Sequence, residues 1–120
     1  MKSVHRPYTR SERVGDELRS ILASIFISKI HIHEAGLLTI TNVKMTDDLK
    51  IAKIYVSFLG NKNTIDKLIL VLKDNTKLIR HYVGLELELK YIPKLLFCRD
   101  DTMQYADKIN KLINKIHHDD

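Results

Sequence analysis

Cysteine, glycine and long apolar runs are scarce in this 120-residue chain, and each scarcity excludes something. The single cysteine, Cys98, rules out an intrachain disulfide and a cysteine-based zinc set, which fits a reducing cytosol. Four glycines leave little material for a backbone phosphate cradle. The sequence accordingly contains no Gly-x-Gly-x-x-Gly, no phosphate loop ending in Gly-Lys-Ser/Thr and no Gly-x-Ser-x-Gly elbow. No Gly- or Ser-rich linker and no internal repeat divides it. The longest apolar run, Ile65 to Leu72, is broken by Asp66 and Lys67. The start of the chain carries Lys2, His5, Arg6 and Arg10 without a small-residue cleavage site, so neither a membrane span nor an export signal is read.

What is present suits one soluble domain. With 44% apolar and 29% charged residues the chain can build a core and a solvated exterior. A chain of this length buries roughly two thirds of its unfolded surface, too little for two cores. Twenty Lys and Arg against fifteen Asp and Glu leave +5, which favours a polyanionic partner. The excess is local. Lys2, Arg6, Arg10, Arg13, Arg19 and Lys29 give residues 1–30 a net +3 over Glu12, Asp16 and Glu17. Residues 61–90 carry +2, through Lys62, Lys67, Lys73, Lys77, Arg80 and Lys90 against four acids, and the remaining segments cancel.

Periodicity orders the elements. Thr9 and Glu12 have capping-box spacing, and Val14, Leu18, Ile21, Leu22, Ile25 and Ile30 repeat as one face of a helix that ends in the stretch His31 to Gly36. Leu37 to Met45 is rich in β-branched residues, and Thr46-Asp47-Asp48 supplies a turn. In the run from Lys50 to Leu59, Ala52, Ile54, Val56 and Phe58 alternate with Ile51, Lys53, Tyr55 and Ser57, one set for the core and the other for a wetter face. Asn63 is placed to cap a helix bearing Ile65, Leu68, Ile69 and Leu72. Asp74-Asn75-Thr76 compete for backbone hydrogen bonds and break it before Leu78, Ile79, Tyr82 and Val83 resume, with Gly84 inside or just past the resumed helix and able to end it. Leu95 to Cys98 after Pro93 reads as a buried strand, and Asp101 and Gln104 open a last helix with Met103, Ala106, Ile109, Ile113 and Ile116 on one stripe. The order helix, strand, strand, kinked helix, strand, helix is that of an α+β layer fold.

Groups able to do chemistry are few and have plainer uses. Cys98 lies in an apolar strand and reads as a small core residue more readily than as a nucleophile. His31-x-His33 and His117-His118 lack a third ligand at a familiar spacing, and a surface loop and a chain end account for them without a metal. Asp47-Asp48 and Asp100-Asp101 suit a turn and a cap. A helix opening at the break would aim free N–H groups outward beside Lys77 and Arg80, an arrangement suited to a phosphate, although a solvated helix face has the same composition.

Three stretches taken together resemble the ribosome-binding factor A family: the first helix with Arg13-Val14; Thr41-x-Val43 followed by Asp48-Leu49-x-x-Ala52-Lys53-x-Tyr55-Val56-Ser57; and Ile79-Arg80 with Lys90-x-x-Pro93-x-Leu95-x-Phe97-x-x-Asp100. The resemblance implies a single KH-like domain of type II, a three-stranded sheet with helices packed on one face, over residues 9–116. Residues 1–8 would be a basic tail and 117–120 a short terminal one. It further implies a cytoplasmic, noncatalytic monomer, free of cofactor, that binds 16S rRNA and the free or immature 30S small subunit. Its role would be late maturation of that subunit, including processing of the rRNA 5′ end. The family's Ala-x-Gly element at the helix break aligns here with Asn75-Thr76-Lys77. Lys90 takes the place of an arginine, and Glu34-Ala35-Gly36 that of an Asp-Pro-Arg-like turn. The candidate RNA-binding residues are therefore Arg6, Arg10, Arg13, Lys73, Asn75, Thr76, Lys77, Arg80 and Lys90, with Tyr55 either stacking on a base or packing. A different class of function fits the same charge: a protein-interaction module docking its basic surface on an acidic protein of an assembly complex.

Overall fold

The computed structural model describes residues 7–32, 36–59 and 64–100. Thr9 Oγ1 accepts a hydrogen bond from the Glu12 N–H at 3.1 Å and starts α1, Arg10–Ser28, which buries Val14, Gly15, Leu18, Leu22 and Ile25. Strands β1, Leu37–Met45, and β2, Ile51–Leu59, form an antiparallel hairpin. Helices α2, Ile65–Asp74, and α3, Thr76–Glu86, then cross back over the sheet, and β3, Lys94–Arg99, pairs in parallel with β2. The sheet order is β1-β2-β3.

One face of the sheet takes the core. Ile40, Val43, Ala52, Ile54, Val56, Leu95 and Phe97 point to the helices and meet Val14, Leu18, Leu22, Ile25, Leu72, Ile79 and Val83 in one continuous cluster. The strand period of two then sends Thr39, Lys44, Lys53, Tyr55, Ser57 and Leu96 to the other face. The register slips between Ile40 and Asn42, so Thr41 is a bulged residue. The bulge is held from both sides. Arg19 Nε donates to the Ile40 carbonyl at 3.3 Å, and Thr41 Oγ1 donates to Asp100 Oδ2 at 2.5 Å, with the Tyr55 carbonyl 3.2 Å away. Arg19 is thus bound to the sheet, although periodicity places it on the polar side of its helix.

The structure decides three local points. Thr64, whose hydroxyl accepts from the Lys67 N–H at 3.2 Å, caps α2; Asn63 lies outside the described residues. Gly84 sits inside α3, which ends at Glu86, and the Ile92 side chain packs against it, 2.5 Å from where a Cβ would lie. Cys98 faces outward opposite Tyr55 and is half-buried, since Leu95 and Phe97 take the inward positions of β3. A four-residue apolar run carries no mark of which alternate members point in. The last helix read from the sequence, His33, Glu34 and Ala35, the pair His117-His118, and both tails apart from Pro7 and Tyr8 lie outside the described residues.

Candidate nucleic-acid interface

The break between α2 and α3 is built by Asn75 and Thr76 without glycine. Asn75 has φ −97° and ψ 5°, a bridge conformation open to ordinary residues. Its N–H is shared between the Val71 and Leu72 carbonyls at 3.2 and 3.1 Å, its side-chain Nδ2 donates to Val71 O at 2.8 Å, and Thr76 Oγ1 donates to Leu72 O at 3.2 Å. These side chains satisfy carbonyls left over at the end of α2. The Asn75 side chain does not cap α3. The family's glycine is therefore dispensable here: Lys77 lies in α3, and Leu49 is the only described non-glycine residue with positive φ. Asn75 and Thr76 are half-buried and shape the kink, while Lys73, Lys77 and Arg80 stand exposed around it.

Arg80 is held in place. Its Nε donates to Pro93 O at 3.3 Å and its Nη2 to Ile92 O at 3.0 Å, tying α3 to the segment that leads into β3. A guanidinium has five donors in a rigid fork, so these bonds orient Arg80 and leave the rest of its edge for an anion. Lys90 is exposed and rests over the ring of Tyr91, 5.5 Å from its centroid. Tyr91 is itself 74% exposed, an aromatic ring at the surface that its mixed sequence surroundings did not single out.

Arg10 and Arg13 are exposed on the first turns of α1, and Arg6 lies outside the described residues. Contacts place the two basic groups toward one end of the sheet. Gly15 packs on Val43 near the β1–β2 turn, and Arg80 meets Pro93 just before Lys94, whose N–H bonds Lys50 O at 2.8 Å at that same turn. The turn itself is tightly specified: Thr46 Oγ1 donates to Asp48 Oδ1 at 2.6 Å, and the Lys50 N–H donates to the same oxygen at 3.0 Å. These bonds, the Thr46 hydroxyl foremost, hold the Asp48 carboxyl below its ordinary value.

Among the described residues, no group of three or more His, Cys, Asp or Glu is placed to hold a metal, and no helix is long and apolar enough to cross a membrane. A large open groove runs between α1 and β1 past Asp16, Arg19, Phe26, Ile30 and Leu38 and contains none of the predicted cations. Asp16 is engaged there by the Tyr8 hydroxyl and Arg19 by the bulge.

The family described as Ribosome-binding factor A matches over residues 10–113. The chain belongs to the ribosome-binding factor A family. Relatives include Ribosome-binding factor A of Pelagibacter ubique, 42% identical over 109 residues that span 88% of each chain. That of Staphylococcus epidermidis is 35% identical over 111 residues, 92% of this chain and 96% of the relative. The crystal structure of ribosome-binding factor A from Thermus thermophilus superposes with a TM-score of 0.65 at 17% identity, covering 74% of this chain and 94% of that one. Coordinates of the Thermus thermophilus factor fitted into a cryo-EM map of its complex with the 30S subunit give 0.64 at 15% identity, covering 77% and 96%. The ribosome-binding factor A structures share the α+β, KH-like arrangement described above.

Proposed function

We propose that this protein is a cytoplasmic, noncatalytic factor that binds the small ribosomal subunit through 16S rRNA and assists its late maturation, including processing of the rRNA 5′ end. The observation that carries the reading is the oriented Arg80 guanidinium, fixed on the Ile92 and Pro93 carbonyls beside exposed Lys73, Lys77 and Lys90, in a chain of this family. Membership alone supplies the ribosome; the oriented cation and its neighbours supply a means of gripping a phosphate backbone. Tyr91 adds an exposed ring on which a base can stack. The Thermus thermophilus relative is described in complex with the 30S subunit, which supports the same partner here.

Two measurements test this. Sedimentation with free small subunits at low and raised salt should show co-migration that salt weakens, and Lys73→Glu with Lys77→Glu should reduce it, because both side chains are exposed and the fold does not use their charge. A cell lacking the protein should accumulate 16S rRNA with an extended 5′ end, restored by the parent chain and not by the double variant. Absence of co-migration at low salt overturns the reading. Retained binding to particles together with no binding to naked rRNA would instead favour docking on an acidic protein of the particle.

A further inference from the structure

On the sheet face turned away from the helices, lysines outnumber acids among the described residues, with Asp100, just past β3, lying on the Thr41 hydroxyl at its far end. None of the strands β1, β2 and β3 contains Asp or Glu, while Lys44, Lys53 and Lys94 project from the outward positions of all three. Segment by segment these lysines cancel against Asp47, Asp48 and Asp100; in the fold, the first two acids sit in the β1–β2 turn and the third follows the far end of β3. Lys44 and Lys53 are direct cross-strand partners, and Lys94, paired with Ile51, lies one diagonal step from Lys53. Like charges directly opposite one another destabilise a sheet. The described residues offer Lys53 and Lys94 no hydrogen bond or ion pair to offset that cost, and Lys44 reaches only the ring of Tyr55, with its ammonium 5.8 Å from the centroid. A polyanion would relieve the repulsion. Tyr55 lies in the middle of this face, half-buried, with a ring that the Lys44 ammonium reaches, flanked by Asn42 on β1 and Cys98 on β3. Two lysines beside a half-buried aromatic ring, with a third one diagonal step further along the sheet, is the chemistry of a platform for a single strand, phosphates on the lysines and a base on the ring.

We propose that this open sheet face is a second rRNA-contact surface, separate from the helix break, on which a single-stranded stretch of RNA lies with phosphates on Lys44, Lys53 and Lys94 and a base against Tyr55. The proposal rests on the rRNA-binding reading above and adds a surface to it. Lys44 would leave the ring for a phosphate as the base takes its place.

The test is a salt titration of binding to purified 16S rRNA by the full chain, comparing the parent with Lys44→Gln/Lys53→Gln/Lys94→Gln. Loss of three single-strand phosphate contacts should lower the slope of log K against log salt by about 2, with unchanged or raised thermal stability because a like-charge pair has been removed. Tyr55→Leu should weaken binding without changing the slope, and Tyr55→Phe should restore it. A triple variant with the parent's affinity and slope, in an assay where Lys73→Glu/Lys77→Glu lowers both, overturns the sheet-face proposal alone. A parent chain with no salt-dependent binding overturns the underlying reading and this one with it. A triple variant that loses particles yet binds naked rRNA as the parent does would assign the face to an acidic protein and overturn the RNA proposal.

Discussion

Gly15 contributes through what it lacks. A Cβ there would lie 2.9 Å from the Val43 carbonyl oxygen, a backbone atom with little room to move, so α1 approaches β1 closely only with glycine at the contact. Gly15→Ala should therefore lose stability, by about 1 kcal/mol net once the overpacking cost is set against alanine's better helix propensity; denaturant unfolding with an undiminished midpoint would show that the helix can shift. Arg80 works at the same scale. Arg80→Ala removes two charge-assisted bonds at a partly solvated site and should cost about 1–2 kcal/mol, and Arg80→Lys should recover little, because an ammonium cannot reproduce the fork to Ile92 and Pro93. Asp48 gives a pH signature. Its carboxyl is held low by the Thr46 hydroxyl and the Lys50 N–H, so the turn's share of stability is present above the ordinary Asp value and is lost as pH falls through the depressed one. An NMR titration should place the Asp48 midpoint below 3.8, and Thr46→Val should raise it; a midpoint unmoved by that substitution would discount the bond.

At the scale of elements, the kink between α2 and α3 is a product of side chains that bond backward along the chain. Asp74-Asn75-Thr76 announced the break in the sequence because such residues compete with helical hydrogen bonds, and Asn75 and Thr76 do so against Val71 and Leu72. Lys77 stands where the family element has glycine, and no residue of the break adopts positive φ. Lys77→Gly, which restores the family residue, should consequently destabilise the protein by about 0.5–1 kcal/mol through lost helix propensity; a stabilised variant would mean that the turn wants left-handed geometry. The strands were legible for the same reason as the break. Alternation in β2 announced both its inward and its outward set, whereas β3, an apolar run without alternation, concealed that Cys98 faces out. Leu49 adopts φ 61° in the hairpin turn, a conformation that the Asp48-Leu49 pair gives no warning of.

For the whole molecule, the described core is one cluster shared by α1, α2, α3 and all three strands. Unfolding should accordingly be a single cooperative transition, with tyrosine fluorescence and far-ultraviolet circular dichroism giving coincident curves; two separated midpoints would mean that the helical layer and the sheet come apart independently. Charge is organised at this scale as well. The excess in residues 1–30 and 61–90 was visible by counting, and folding carries Arg10 and Arg13 of the first group and Arg80 of the second toward the β1–β2 turn. The lysines of the open sheet face were invisible to counting, because nearby acids in the chain cancel them and only strand register separates the two signs.

The sequence by itself determined the element order through β3, the capped start of α1, the break, the α+β class and the family, since these depend on short-range periodicity, on local hydrogen-bond competition and on motifs read in order along the chain. Tertiary structure alone decided that Arg80 is fixed on the Ile92 and Pro93 carbonyls, that Arg19 and Asp100 secure the bulge at Thr41, that Cys98 faces outward, and that Lys44, Lys53 and Lys94 share one sheet face. Each of those depends on pairing between residues distant in the chain, where register sets which side chains become neighbours.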